Sequence, residues 1–233
     1  MKAMILAAGL GTRMLPLTAH TPKPLLRVGG RCLIEWQVDR LAAAGVTEIV
    51  INHYYLGEQI EQTLGDGSRY GVNLVYSAET ERLETAGGII RALPLLGDAH
   101  FIIANSDVWT DFDYRRLIAR AELMQRAAEN PIQAHLVMVP NAAHHPGGDF
   151  VLESDGCVLD QDGPRLTYAG ISLLHPDLFA GLTAQFQPLT PLLRRAMQQR
   201  LVTGELFSGA WQDVGTPERL AALDGSVTGN LTK

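Results

Sequence analysis

Two glycines and two cations near the start of the chain carry its most specific chemistry. The stretch "ILAAGLGTRMLPLTAHTPKPLL" (residues 5–26) sets Gly9 and Gly11 after an apolar run, then Arg13, then Lys23 between Pro22 and Pro24. Glycine removes the side chain that would block close approach, and successive backbone N–H groups then form a nest for an anion. A guanidinium grips two phosphate oxygens at once, whereas an ammonium acts as a compact point charge. The flanking prolines stiffen the chain around Lys23, so less entropy is lost on fixing it. Two familiar glycine loops are excluded. "GLGTRM" puts Met14 where the dinucleotide fingerprint needs its third glycine, and the Gly-Lys-Ser/Thr of a Walker A loop is absent. What stands is a loop whose N–H groups face a nucleotide, with Arg13 and Lys23 offering charge to a triphosphate. For the glycines alone, an ordinary strand-to-helix turn remains an equal alternative.

Two aspartates suggest the complementary charge. "HFIIANSDVW" ends an apolar run with Asn105 and Asp107, and "WQDVGTPERL" sets Asp213 just before a helix opened by Thr216 and Pro217. Side chains just past the carboxyl ends of parallel strands point into the ligand crevice. Two carboxylates converging on Mg²⁺ suit phosphoryl and nucleotidyl transfer alike, because the ion offsets phosphate charge and completes its shell with water or substrate oxygens. The alternative is a solvated turn residue at Asp107 and a helix cap at Asp213. Adjacent histidines in "AHHPGGD" lack a supporting Cys or Glu pattern, so no metal site is expected there.

The elements that must position these residues follow from periodicity. "KAMILAA", "TEIVINH", "GVNLVYS", "HFIIANSD" and "IQAHLVMV" are short apolar runs that suit strands. "LIEWQVDRLAAAG", "LGEQIEQTLGDG", "GGIIRALPLLG" and "YRRLIARAELMQRAAEN" suit helices, stopped by glycine or by Asn130-Pro131. Such alternation over residues 1–140 predicts βαβ units and a mostly parallel sheet. "GDFVLESDGCVLDQDGPRLTYAGISLLH" holds short strands around Asp-Gly turns, predicting an antiparallel addition, with helices returning at "LTPLLRRAMQQR" and "TPERLAAL". With no repeat or low-complexity linker, residues 1–233 are expected to form a single domain. By a resemblance of the glycine-loop stretch to the sugar-1-phosphate nucleotidyltransferases, residues 1–140 would be its nucleotide-binding half and 141–233 its sugar-binding, metal-completing half.

Composition narrows the partners. The 233 residues are 46% hydrophobic and 19% charged, with a formal net charge of −6. An acidic balance argues against nucleic acid, which calls for a basic surplus. No apolar run of about 18 residues occurs, so no membrane span is expected. Cys32 and Cys157 are too few for a disulfide scaffold and fit a reducing cytoplasm. The apolar start "MKAMILAAG" runs into glycine-turn chemistry, which suits a buried first strand better than a signal peptide. Nothing marks a dimerisation extension, so a monomer is expected.

"LAAGLGTRMLPLTAHTPKPLL" resembles the signature of the sugar-1-phosphate nucleotidyltransferases, and the likeness extends over essentially the whole chain. It implies an α/β fold, a three-layer α/β/α sandwich around a mostly parallel mixed sheet. It also implies a reaction joining a nucleoside triphosphate to a sugar-1-phosphate with release of pyrophosphate. By that likeness Ala8, Gly9, Gly11, Thr12, Arg13 and Lys23 hold the triphosphate, and Asp107 and Asp213 hold Mg²⁺. Arg13, Lys23 and Asp107 would then be the catalytic residues. Many relatives have glycine where this chain has Ser106, which should fit unless the backbone there needs positive φ. "SAETERLETAGGII" resembles the segment that reads the base, with Thr85 against a pyrimidine edge; Thr85 as a helix cap is the plainer alternative. The sugar would meet Asn105, Asp149, Asp160 and Gly170, although Asp-Gly turns need no ligand to explain them. "TPKPLL", "LETAGG", "NSDVWTD", "HHPGGDF" and "WQDVGTPERL" look most like the subgroup that uridylylates N-acetylmuramate α-1-phosphate from UTP in bacterial cell-wall recycling. A lactyl carboxylate on that sugar needs a partner, for which Arg165 is one candidate. Glucose- or mannose-1-phosphate with UTP, dTTP or GTP, or a non-catalytic nucleotide-sugar sensor, are the competing expectations.

Overall fold

In the computed structural model, which describes residues 1–126 and 132–231, the first apolar run becomes strand β1 (Lys2–Leu6). A long loop with two single turns of 3₁₀ helix follows, then the small hairpin β2 (Arg27–Val28) and β3 (Arg31–Cys32). Helix α1 (Leu33–Ala43) opens with a reciprocal cap in which the Cys32 amide donates to Glu35 Oε2 at 2.8 Å. It ends at Gly45, whose φ of +90° a residue with a side chain would resist. The next units are β4 (Glu48–His53), α2 (Gly57–Leu64), β5 (Asn73–Ala78) and α3 (Glu84–Leu96). After them come β6 (Phe101–Asn105), the short β7 (Val108–Thr110), α4 (Arg115–Arg126) and β8 (Ala134–Val139). The part of the expected helix from residue 127 to Asn130 lies outside the described residues.

The change of style after residue 140 is seen as β9 (Phe150–Leu152), β10 (Val158–Leu159) and the long β11 (Arg165–Leu174), paired antiparallel. The chain then runs through α5 (Thr190–Gln198), β12 (Val202–Leu206), β13 (Trp211–Asp213) and α6 (Pro217–Leu231). Neither β7, β12 nor β13 is apparent from the apolar pattern, because each is short or lies beside glycine.

One mixed, nine-stranded sheet joins strands from both halves of the chain. β5, β4, β1 and β6 lie side by side and parallel, β11 runs antiparallel to β6 and β8, and β12 is parallel to β8. Alternation along each strand builds the three layers. Ala3 and Ile5 of β1 with Ile102 and Ala104 of β6 join the core under α1, α2 and α4. Met4, Phe101 and Ile103 face the opposite core, under α3 and α5. A smaller cluster of Met14, Val28, Leu33, Leu223 and Val227 anchors α6 against the first loop.

The strand order decides where ligands go. From β1 the chain moves to β4 and β5 on one side, then returns to β6 on the other. The carboxyl ends of β1 and β6 therefore flank a topological switch point, where open α/β sheets leave a crevice.

Candidate nucleotide and sugar-phosphate site

Two adjoining cavities open at that edge. The larger, about 380 Å³, is lined by the first loop from Leu6 to Met14 and by Lys23, Asn52, Glu79, Thr85 and Asn105 to Asp107. The smaller, about 270 Å³, adds Asp149, Phe150, Tyr168 and the start of α5. Leu6, Glu84, Thr85 and Asn105 line both, so the cavities meet there.

The glycine loop is shaped as its residue types require. Gly11 has φ +64°, and a Cβ there would sit 3.0 Å from Thr18 Cγ2, whose hydroxyl donates to the Gly11 carbonyl at 2.8 Å. A Cβ at Gly9 would meet nothing within 4 Å, so the protein's own packing does not explain that glycine. Close approach by a ligand would. Thr12 and Arg13 form a single 3₁₀ turn, and Arg13 has no hydrogen-bond or ion-pair partner among the described residues. Lys23 leads a second such turn, with Pro22 and Pro24 both buried, and its ammonium forms an ion pair with Asp107.

Asp107 and Asp213 meet through backbone. β13 pairs antiparallel with β7, matching Asp213 to Val108, and the Val214 amide donates to the Asp107 carbonyl at 2.8 Å. The Asp213 carboxylate accepts from Arg219 Nη1 at 2.7 Å on each oxygen and lies 2.9 Å from His144 Nε2. The "HHPGGD" loop thus touches this carboxylate, and His145 Nε2 lies 3.1 Å from Asp149 Oδ1. No group of three or more His, Cys, Asp and Glu side chains gathers as a metal site among the described residues. Two carboxylates, each already drawing a cationic side chain, are nevertheless a donor set that suits a hard divalent ion sharing substrate oxygens. Ser106 is buried without positive φ, and its amide donates to the Leu6 carbonyl at 3.1 Å, so a serine fits at this position.

Thr85 lies in the first turn of α3; the capping position is Leu83, and no side chain caps that end. The capping alternative therefore does not hold, and Thr85 faces both cavities. Asp149 lines the smaller cavity, with Oδ2 accepting the Tyr168 amide at 2.8 Å. Asp160 and Gly170 line neither. Asp160 is held by Arg165 and Arg194, at 3.0 and 2.7 Å. Gly170 has φ +71°, and a Cβ there would lie 2.5 Å from Asn105 Nδ2, so the space it leaves belongs to Asn105. Arg165 likewise spends its terminal nitrogens on the Asp149 and Gln161 carbonyls.

Several residues of the site lie outside the motifs singled out from the sequence. Asn52, at the end of β4, accepts the Ala7 amide at 3.0 Å and donates to Glu79 Oε1 at 2.7 Å. Burial pushes the Glu79 carboxyl above the ordinary glutamate range, against the pull of the Asn52 hydrogen bond. Glu84 stands at φ +60°, an uncommon conformation for a side-chain-bearing residue, and is paired with Arg82 at the cavity wall. Asn52 and Glu79 carried a usable signal, since both are polar residues ending apolar strands at the ligand-facing edge.

A family model described as nucleotidyl transferase matches residues 2–155. The chain belongs to this nucleotidyl transferase family: it is a sugar-1-phosphate nucleotidyltransferase. Among its relatives, the N-acetylmuramate alpha-1-phosphate uridylyltransferase of Neisseria meningitidis serogroup B is 50% identical over 94% of this chain and 95% of its own. The protein of the same description from Caulobacter vibrioides is 36% identical, again over 94% of each. A mannose-1-phosphate guanyltransferase of Yarrowia lipolytica is 33% identical over 94% of this chain but 61% of its own length. A Bacillus anthracis crystal structure described as a glucose-1-phosphate thymidylyltransferase, in complex with sucrose, shares the fold. Its TM-score is 0.84 at 20% identity, over 97% of this chain and 95% of that one.

Proposed function

We propose that this enzyme transfers a uridylyl group from UTP to N-acetylmuramic acid α-1-phosphate, giving UDP-N-acetylmuramic acid and pyrophosphate. The setting would be peptidoglycan recycling in the cytoplasm, with the protein acting as a monomer. The observation that carries the reading is the 50% identity, over nearly the full length of both chains, to the Neisseria uridylyltransferase.

The reaction is one in-line displacement. A phosphate oxygen of the sugar-1-phosphate attacks the α-phosphorus of UTP, a new P–O bond forms, and the bond to the β-phosphate oxygen breaks as pyrophosphate leaves. The attacking phosphate is already ionised near neutral pH, so no side-chain nucleophile is needed. Catalysis reduces to positioning and charge neutralisation. Loop residues Ala8 to Thr12 present N–H groups to the triphosphate, Arg13 and Lys23 neutralise it, and Thr85 meets the base. Asn105 and Asp149 face the sugar. Asp107 and Asp213 would hold Mg²⁺, which when bound offsets charge on the phosphate oxygens. Arg13, which lines the larger cavity and has no ion-pair partner among the described residues, would take this role at no cost in broken ion pairs.

The test is pyrophosphate release with Mg²⁺ across the 1-phosphates of N-acetylmuramate, N-acetylglucosamine, glucose and mannose, each with UTP, dTTP and GTP. Selective turnover of the muramate sugar with UTP is expected. Preference for mannose-1-phosphate with GTP would favour the second reading, suggested by the guanyltransferase relatives. Silence with every pair would point to a nucleotide-sugar sensor.

A further inference from the structure

An N-acetylmuramate sugar carries a carboxylate that other sugar-1-phosphates lack, and the smaller cavity offers that group only one cation. Among the residues lining it, Glu84 and Asp149 are acidic and Arg194 alone is basic. An anionic substituent entering there without a cationic partner would be repelled by both acids.

Arg194 lines the cavity from the first turns of α5. Its Nε forms an ion pair with Asp160 Oδ2 at 2.7 Å, and no hydrogen bond engages its terminal nitrogens among the described residues. Asp160 is itself fixed from the other side by Arg165 Nη2 at 3.0 Å. The ion pair keeps the guanidinium beside the cavity without engaging its outer fork in a hydrogen bond. That fork matches a carboxylate with two parallel hydrogen bonds. Arg165 has no such freedom, because its terminal nitrogens already serve the Asp149 and Gln161 carbonyls.

We infer that Arg194 binds the carboxylate of the sugar substrate's acidic substituent and so selects a carboxylated sugar-1-phosphate over a neutral one. Asp160 is then a positioning residue that acts through Arg194. The inference rests on the proposed substrate class and adds the residue that enforces it.

The test compares the full-length wild type with Arg194→Gln and Arg194→Lys, at saturating UTP and Mg²⁺. The sugars are N-acetylmuramate α-1-phosphate and N-acetylglucosamine α-1-phosphate, which share a ring and an acetamido group but differ in the acidic substituent. Where the neutral sugar turns over too slowly, its inhibition constant against the muramate sugar serves instead. Arg194→Gln should raise KM for the muramate sugar roughly 10- to 100-fold, the range for losing a hydrogen-bonded charge pair. The constants for the neutral sugar should stay within about threefold, as for a contact that sugar never makes. Arg194→Lys should recover part of the loss. An unchanged KM for the muramate sugar, or an equal loss on both sugars, overturns the assignment of Arg194. A wild type that rejects the muramate sugar while using the neutral one refutes the proposed substrate itself, which is a separate outcome.

Discussion

Lys23 and Asp107, 84 positions apart in the chain, form an ion pair at the rim of the larger cavity. One belongs to the loop after β1 and the other to the end of β6, the two strands that flank the switch point. The cation assigned to the triphosphate and the carboxylate assigned to the metal thus neutralise each other. A metal–nucleotide complex would exchange that single contact for two, the ammonium going to phosphate and the carboxylate to the ion. The pair keeps a half-buried ammonium from standing alone, which is costly in low dielectric.

Asp107→Ala should fold, since the residue is partly exposed and its backbone contact to Val214 survives. Turnover should fall by roughly 10²–10³, the usual loss for one preorganised electrostatic group. Pyrophosphate release alongside circular dichroism checks this, and near-normal rates in the folded variant would sink the metal assignment.

Removing divalent ions with a chelator should stop pyrophosphate release, and excess Mg²⁺ should restore it. Asp213→Asn should raise the Mg²⁺ concentration needed for half-maximal rate by about tenfold or more, as for loss of a charged ligand. A Mg²⁺ dependence identical to the wild type would leave Asp213 as merely the partner of Arg219 and His144.

Asn52→Leu should cost about 1–3 kcal/mol, because it leaves the Ala7 amide and Glu79 carboxyl buried without their partner. Urea unfolding gives the stability change. The KM for the nucleotide should rise with it, because Asn52 ties the end of β4 to the start of the glycine loop.

Gly170→Ala should also destabilise by about 1–3 kcal/mol, through backbone strain at positive φ and displacement of Asn105. Thermal melting measures the loss. A variant as stable as the wild type would show that the Asn105 side chain yields freely.

Burial holds the imidazoles of His100 and His135 below the usual histidine range near 6.5. The unfolded chain therefore takes up protons near that value while the folded chain does not. Between 6.5 and the lower folded values the unfolded state binds more protons, so stability falls as pH falls. Melting temperature should drop between about pH 7.5 and about pH 5.5, each histidine contributing about 1.4 kcal/mol per unit of depression. His135→Gln, which removes one of the two titrating groups, should flatten that slope.

Local chemistry was legible wherever a few neighbouring residues suffice to specify it. The apolar run of β1, the glycines after it and the Gly45 stop of α1 are all statements about nearby backbone, and they appear where expected. The switch to antiparallel pairing at the Asp-Gly turns was readable for the same reason. Asp107 was locatable because it ends a parallel strand, and the same rule applied to Asn52 and Glu79 would have found them.

By itself, then, the sequence determined an α/β chain with a glycine loop, two attendant cations and an acidic residue past a later strand, because turn chemistry and apolar period act within a few residues. Tertiary structure decided which of these meet. The return of the chain from β5 to the far side of β1 brings Asp107 to Lys23, and the β7–β13 ladder brings Asp213 beside Asp107 from more than a hundred positions away. The same folding sends Asp160 away from the cavity and pairs it with Arg194, which lines the site. Strand order and loop packing are long-range choices made by burying both faces of one sheet, and no local pattern encodes which side chains such burial will leave facing one another.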